Sequence, residues 1–338
     1  MTATEGFSQW LHDAAGYEDI VLGPVLTGGN SNVTRLIDTR QGRLVLRHPP
    51  FNVISDKAAA GIEREYQAIS ALYGHAAVPR PVAWCGDPGV IGQPFAVTEW
   101  VEGVAISESL PVSWPDRAEV IDALGREMVR GLAQVHAINY HELLPERFGR
   151  PEGFVRRQVE RWLDVRARER VRDLPLLDQI GAWLIENLPP PDRASIIHCD
   201  FHLDNCLMAT DGPHLRAILD WEMATLGDPL IDLGLCLFFW RRDPSAKLGF
   251  AFVQGLSNRP DVMTPRALAD TWSEETGFDH KKIDYYVVLA AWRLAAIVEG
   301  AWILYCQGKE KTPYARGLEQ DVPALLYEAE AIIERGGI

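Results

Sequence analysis

The hydrophobic pattern of this chain changes period once, near residue 100, and no other feature constrains the fold as strongly. Before that point apolar residues alternate along Val21–Leu26, Val33–Thr39, Leu44–Arg47, Pro81–Cys85 and Phe95–Trp100. A repeat of two is the signature of strands with one buried face. Gly-Gly-Asn and Gln41-Gly42 separate the first three runs and predict two successive hairpins. A short amphipathic helix over 5–15 precedes them. One helical stretch interrupts the strands at 57–73, with Ile62, Tyr66, Ile69 and Leu72 on one face. After a crossover at Val101-Glu102-Gly103 the pattern predicts helices over 117–138, 153–171, 176–187, 229–239, 246–255, 264–274, 280–306 and 319–335. The exception is 195–221, where the β-like runs Ser195–His198, Cys206–Met208 and Ala217–Leu219 alternate with polar loops. At 338 residues the chain exceeds one small core. These signals predict an α+β fold of two lobes, a β-rich lobe over 1–100 and a larger helical lobe over 101–338.

Composition narrows the partners. The net charge of −14 lacks the basic face that nucleic-acid phosphates require. The five cysteines are odd in number and form no C-x-x-C, so neither a disulfide framework nor a zinc site is suggested, and a reducing cytoplasm is expected. Residues 1–16 lack a basic segment followed by an apolar run, so no signal peptide is read there. The apolar stretch Tyr286–Cys306 carries Arg293 and Glu299 mid-segment. Such charges are costly in a bilayer, so it reads as a core helix with a polar task.

The chemistry concentrates in His198-Cys199-Asp200-Phe201-His202-Leu203-Asp204-Asn205, followed by Ile218-Leu219-Asp220-Trp221-Glu222. Phosphoryl transfer needs a carboxylate to orient and deprotonate an acceptor hydroxyl, and oxygen ligands that hold Mg²⁺ against nucleotide phosphates. Asp200 and Asn205 supply a base and one ligand from a single loop. Asp220, at the end of a short apolar strand, supplies a carboxylate ligand of the hard kind Mg²⁺ prefers. His-x-Asp alone is more often structural, and the joint spacing of Asp200, Asn205 and Asp220 carries the reading. A rival exists: on an extended strand His198, Asp200, His202 and Asp204 would share one face and suit a metallohydrolase. It leaves Asn205, the Asp-Trp-Glu segment and the upstream lobe unexplained.

The segment resembles the catalytic loop of the aminoglycoside phosphotransferase and choline kinase superfamily, H-x-D-x-x-x-x-N followed by an apolar-D segment. With Leu219 to Pro229 included, it is similar to the phosphotransferase domains linked to acyl-CoA dehydrogenases and to their stand-alone bacterial relatives. The resemblance runs from about Gly28 to Gly308 and implies a protein-kinase-like two-lobed fold using ATP and Mg²⁺. It places Asp200 as base, Asn205 and Asp220 as metal ligands, His198 as the brace of the loop, and Asp232 as the buried carboxylate holding the loop backbone. Glu222 stands where relatives also have an acid, near the metal or the substrate.

In such an order of elements Gly28, Gly29, Asn30 and Ser31 become a phosphate-cradling turn, although Gly-Gly-Asn is first of all a hairpin turn. The phosphate-binding cation of kinases is a lysine on the third strand. Here that place is taken by Arg47, the first lysine being Lys57. The subgroup also tends to have arginine there, and a guanidinium can grip phosphate oxygens bidentately. Glu65, on the following helix, is the expected ion-pair partner, with Glu63 the lesser choice. Glu99, Trp100 and Val101 form the expected hinge against adenine.

Arg293 lies in a nearly apolar helix, where an arginine is expensive unless paired. It either grips an anionic substrate group or the acidic cluster, or forms a structural ion pair. Arg157, Arg161, Arg168 and Arg172 fall on one side of a helix, as a phosphate- or CoA-binding stripe or, the reading favoured, as a solvated face balanced by Glu160, Asp164 and Glu169. The sequence therefore predicts a cytoplasmic small-molecule kinase that phosphorylates a hydroxyl, with a hydroxyacyl-CoA or hydroxy acid suggested by the resemblance. An aminoglycoside- or macrolide-type antibiotic kinase is the alternative within the class. A nucleotide-binding pseudokinase with a regulatory role is the alternative outside it. No nucleic-acid or membrane partner is expected.

Overall fold

The structure is a computed structural model that describes residues 3–26, 32–51, 56–190, 193–242 and 247–338. Alternation in the first hundred residues produces β1 (Val21–Leu26), β2 (Val33–Thr39), β3 (Gly42–His48), β4 (Pro81–Cys85) and β5 (Phe95–Glu99). They form one antiparallel sheet of order β1-β2-β3-β5-β4. One face buries Ile37, Leu44, Leu46, Phe95 and Val97 against Phe7 and Leu11 of α1 (Ala3–Ala15). The period of two turns Val45, Arg47, Ala96 and Thr98 to the opposite face, which lines a cleft.

The helix α2 (Asp56–Leu72) follows β3 but does not belong to that small core. Its Ala68, Ile69 and Leu72 join the larger core of the helical lobe. Arg64 adds polar ties, donating from Nη1 to the carbonyls of Phe148 (2.6 Å) and Ala224 (3.0 Å) and lying over the Phe148 ring. The helix therefore couples the sheet to the second lobe.

That lobe comprises α3 (Ala118–His136), α4 (Phe154–Arg168), α5 (Pro175–Glu186), α6 (Leu230–Phe239), α7 (Pro265–Thr276), α8 (Ile283–Cys306) and α9 (Pro313–Arg335). β6 (Val104–Ala105), β8 (Cys206–Met208) and β9 (Leu215–Ile218) make a three-stranded sheet of order β6-β8-β9, whereas β7 (Ser195–Ile197) pairs with β10 (Thr225–Gly227). These short strands hold the polar loops between them in fixed register. α6 is buried along its whole length. By length and composition α8 could cross a membrane, yet most of it lies inside the core.

Two helical expectations fail. Where a helix is expected over 246–255, the described residues 247–255 form no α-helix. Phe250 and Gln254 take positive φ (56° and 52°), a left-handed conformation that ends helical hydrogen bonding, and the described part of this stretch is a series of turns. α9 starts at Pro313 rather than 319, because Thr312 caps it by accepting from the Ala315 N–H and Pro313 sits in its first turn.

Candidate active site

The loop after β7 is fastened by buried groups on every side. The backbone turns left-handed at Cys199 (φ 68°). Asp232 of α6, fully buried, accepts from the N–H of His198 (2.6 Å), the N–H of Cys199 (2.8 Å) and Nε2 of His136 (3.3 Å). His136 in turn accepts at Nδ1 from the Trp272 indole (3.1 Å). Three donors on one carboxylate satisfy its hydrogen-bonding capacity in an apolar interior. On the other side Arg293 of α8 donates from Nη2 to the Cys199 carbonyl at 2.5 Å. The His198 ring donates from Nε2 to the Leu219 carbonyl (2.7 Å) and accepts at Nδ1 from the Asp200 N–H (3.2 Å), partners that assign the neutral tautomer.

This bracing leaves the Asp200 carboxylate partly exposed. Burial pushes its pKa up, but His202, with Arg293, outweighs that and holds it below the ordinary value. Asp200 is thus a carboxylate at neutral pH. His202 lies 3.8 Å from both Asp200 and Asp204. Burial pushes its ring down, but the two acids outweigh it and raise it to about 9. Asn205 closes the loop by donating from Nδ2 to the Asp200 carbonyl (2.8 Å), while its own carbonyl accepts from the Leu219 N–H (2.8 Å). With its nitrogen engaged, the amide oxygen of Asn205 is the atom left for another partner.

Asp220 follows directly, held left-handed (φ 66°, ψ 53°) at the head of the turn Trp221–Met223. The Arg47 guanidinium spans the lobes, with Nη1 2.5 Å from Glu65 Oε1 and Nη2 2.9 Å from Asp220 Oδ1. Burial pushes Arg47 down, but Glu65, Asp220 and Glu222 outweigh it, so it stays charged. Burial raises Glu65 to about 7 against the pull of Arg47, with Asp220 and Glu222 adding to the rise. Glu222 accepts from Asn32 Nδ2 at 2.5 Å, a second tie between lobes.

Arg47, Glu65, Asn205 and Asp220 border a cavity of about 500 Å³ between the lobes, and Asp200 lies outside its lining. Its floor includes Asp204, Asn205, Leu207 and Asp220, and its roof Val45, Arg47 and Thr98. Glu99, Trp100, Val101 and Gly103 form the back. The Glu99 side chain pairs with Arg80 (2.7 Å), and the Trp100 N–H goes to the Arg43 carbonyl. Among the described residues no hydrogen-bond partner occurs for the Val101 N–H. Gly28, Gly29, Asn30 and Ser31 lie outside the described residues.

The strand-face alternative fails on geometry. β7 ends at Ile197, Cys199 reverses the backbone, and His198 points into the core while Asp200 does not. Among the described residues no group of three or more His, Cys, Asp or Glu is placed to hold a metal. The arginine stripe also divides. Arg157 donates to the Glu152 and Arg150 carbonyls, and Arg161 lies over Trp162. Arg172 lies beyond α4, stacked on Trp302 and paired with the buried Glu299. The periodicity reading missed His136, Arg64 and Gln254. The first two sit on amphipathic helices where a single polar residue gives no local signal.

The sequence profile of the phosphotransferase enzyme family matches residues 23–268. The chain belongs to the phosphotransferase enzyme family. It is 31% identical over 293 residues to acyl-CoA dehydrogenase family member 11 of Rattus norvegicus, an alignment covering 84% of this chain and 36% of that protein. The phosphotransferase therefore spans about a third of the length of that curated relative. Among solved structures, a Ralstonia eutropha JMP134 protein assigned by name to the aminoglycoside phosphotransferases superposes with a TM-score of 0.82 at 26% identity, covering 97% of this chain and 98% of its own. The GDP complex of aminoglycoside 2'-phosphotransferase-IIIa gives 0.63 at 15% identity, covering 98% and 99%. The protein-kinase-like two-lobed fold of this phosphotransferase rests on these superpositions together with the sheet and helical lobes described above.

Proposed function

We propose that this phosphotransferase moves the γ-phosphate of ATP to a hydroxyl of a small molecule, with Asp200 as the general base. The observation that carries the reading is Asn205 and Asp220 on the floor of an interlobe cavity, with Asp200 tied to Asn205 through its carbonyl and Arg47 spanning Glu65 and Asp220 above. The cavity is of the size small-molecule sites usually have. Adenine would lie against the backbone at Glu99 and Val101. The Arg47 Nε–H, which has no acceptor among the described residues, adds donor capacity near the phosphates.

The residues present fit Mg²⁺. The Asn205 amide oxygen and the Asp220 carboxylate are hard oxygen donors at the cavity floor, and Mg²⁺ is held by one or two such groups together with substrate phosphates. When bound, the ion neutralises charge on the phosphate oxygens. Asn205 and Asp220 would hold it, and Arg47 would orient the phosphates. Asp200 would accept the acceptor's hydroxyl proton as that oxygen bonds to the γ-phosphorus and the bond to ADP breaks. The acceptor class we propose is a hydroxyacyl-CoA or hydroxy acid, supported by similarity to relatives named for acyl-CoA dehydrogenases. An aminoglycoside acceptor is the second reading, favoured by the name of the Ralstonia neighbour and by the net charge of −14, which suits a cation.

The test is ATP turnover with Mg²⁺ across hydroxyacyl-CoAs, hydroxy acids and aminoglycosides, with Asp200→Asn alongside. The expected result is turnover of one class and a loss of about 10²–10⁴-fold in kcat for the variant, with ATP affinity retained. Undiminished turnover in Asp200→Asn would overturn the assignment of the base. ATP binding without turnover of any acceptor favours the regulatory pseudokinase.

A further inference from the structure

We infer that Gln254 is a positioning residue that fixes Asn205 within the site, an inference that rests on the reading of Asn205 given above. Asn205 ends the 3-10 turn Leu203–Asn205. The first N–H groups of such a turn have no partner inside it. Two connections of this one are made, Asn205 N–H to the His202 carbonyl and Cys206 N–H to the Leu203 carbonyl. That leaves the N–H of Asp204, on a half-buried residue, and the N–H of Leu203, on a fully buried one. Gln254 Oε1 accepts the latter at 2.7 Å.

Gln254 comes from 51 positions away, and its own setting is built for the contact. It is fully buried and holds φ 52°, a left-handed conformation uncommon for a residue other than glycine. Its carbonyl accepts from both the N–H (2.9 Å) and the Oγ (2.8 Å) of Ser257, and its Nε2 faces the Cys236 carbonyl at 3.5 Å. A fully buried amide whose oxygen meets the loop outweighs a simple packing role, because an apolar side chain would fill the space without burying polar atoms that must be paired. Two residues beyond the anchored N–H, Asn205 directs Nδ2 to the Asp200 carbonyl and leaves Oδ1 for a ligand. Releasing Leu203 frees the turn and with it the direction of Oδ1.

The test compares wild type, Gln254→Met and Gln254→Glu by calorimetric titration with ATP, with and without Mg²⁺, and by amide hydrogen exchange at Leu203. Methionine matches the length and removes the acceptor. Glutamate keeps it. In Gln254→Met the gain in ATP affinity produced by Mg²⁺ falls by about 10–100-fold, the usual range for partners that orient a metal ligand. Metal-free ATP affinity stays as in wild type, and exchange at Leu203 accelerates. Gln254→Glu restores both. Equal Mg²⁺ dependence in Gln254→Met and wild type overturns the inference, as does an equal loss in Gln254→Glu or a parallel fall of metal-free affinity. Wild type that binds ATP without any Mg²⁺ dependence removes the assignment of Asn205 itself, and this inference with it.

Discussion

Arg47 and Asp220 stand 173 positions apart in sequence and 2.9 Å apart in the structure. The same guanidinium reaches Glu65 through its other terminal nitrogen. A lysine presents one ammonium and cannot reproduce a planar fork that meets two carboxylates. The arginine at this strand position is therefore integrated into the site, which weakens the argument for an inactive kinase drawn from the missing lysine.

Replacing Arg47 separates these roles. Arg47→Met removes two charge-assisted contacts, each worth about 1.5–3 kcal/mol, and takes away the phosphate-binding cation. Steady-state kinetics with ATP varied should show kcat/KM reduced by about 10²–10³-fold. Arg47→Lys keeps the charge but one contact, and a loss of about tenfold is expected. Equal activity of the arginine, lysine and methionine forms would mean that no phosphate meets this residue.

Glu65 makes the Arg47 contact dependent on pH. Its carboxyl is raised from an ordinary 4.5 to about 7, chiefly by burial. For an acid raised on folding, the native state binds the extra proton, so the stabilisation is complete below 4.5 and is lost as pH rises through about 7. The unfolding midpoint of wild type relative to Glu65→Gln should fall as pH is raised from 5 to 8. Activity runs the other way, since only the ionised carboxylate pairs fully with Arg47. An ascending limb near pH 7 in kcat/KM for ATP is expected in wild type and absent in Glu65→Gln. Identical pH profiles for the two proteins would show that Glu65 does not titrate there.

Much of this site is local in sequence, and that part is readable there. Asp200, Asn205 and Asp220 fall in one loop and the strand end after it, so the proposed chemistry can be read from their spacing. Strand alternation likewise puts Arg47 on the face opposite Leu44 and Leu46, and Glu65 is the acid it meets. Asp232 lies where the resemblance places it, holding the loop backbone. What stays hidden depends on distant contacts. Gln254 lies in an apolar run that reads as helix, and only the positive φ at Phe250 and Gln254 turns the run into anchoring loops. Arg293 stands out because a charge in an apolar helix demands a partner. That its partner is a carbonyl of the loop follows from how α8 crosses α6, which no local pattern encodes.

Asp232 sets the cost of holding the loop. Asp232→Ala leaves three buried N–H donors, those of His198, Cys199 and His136, without their acceptor. Each unsatisfied group costs about 1–3 kcal/mol, so a loss of roughly 3 kcal/mol or more is expected from a total that is commonly about 5–15 kcal/mol. Urea denaturation should show a lowered midpoint at unchanged m-value. A midpoint within error of wild type would mean that water satisfies these donors.

The crossing of α6 and α8 ties both anchors together, since Asp232 rides on the first helix and Arg293 on the second. Gly234 allows it: a Cβ there would lie 2.6 Å from the Tyr286 carbonyl oxygen and 2.7 Å from its carbon. Those are backbone atoms of a buried helix and cannot swing aside. Gly234→Ala gains about 1 kcal/mol of helix propensity, but overpacking of this kind costs about 1–3 kcal/mol, and rigid backbone puts it at the upper end. The variant should be less stable than wild type and show a lowered kcat, because separating the helices shifts Asp232 against Arg293. Gly300 on α8 is the control, since a methyl group added there would meet nothing within 4 Å. Gly300→Ala should be neutral to stabilising, by up to about 1 kcal/mol. If Gly234→Ala were as stable as Gly300→Ala, the two helices would have to be free to separate without disturbing the loop they hold.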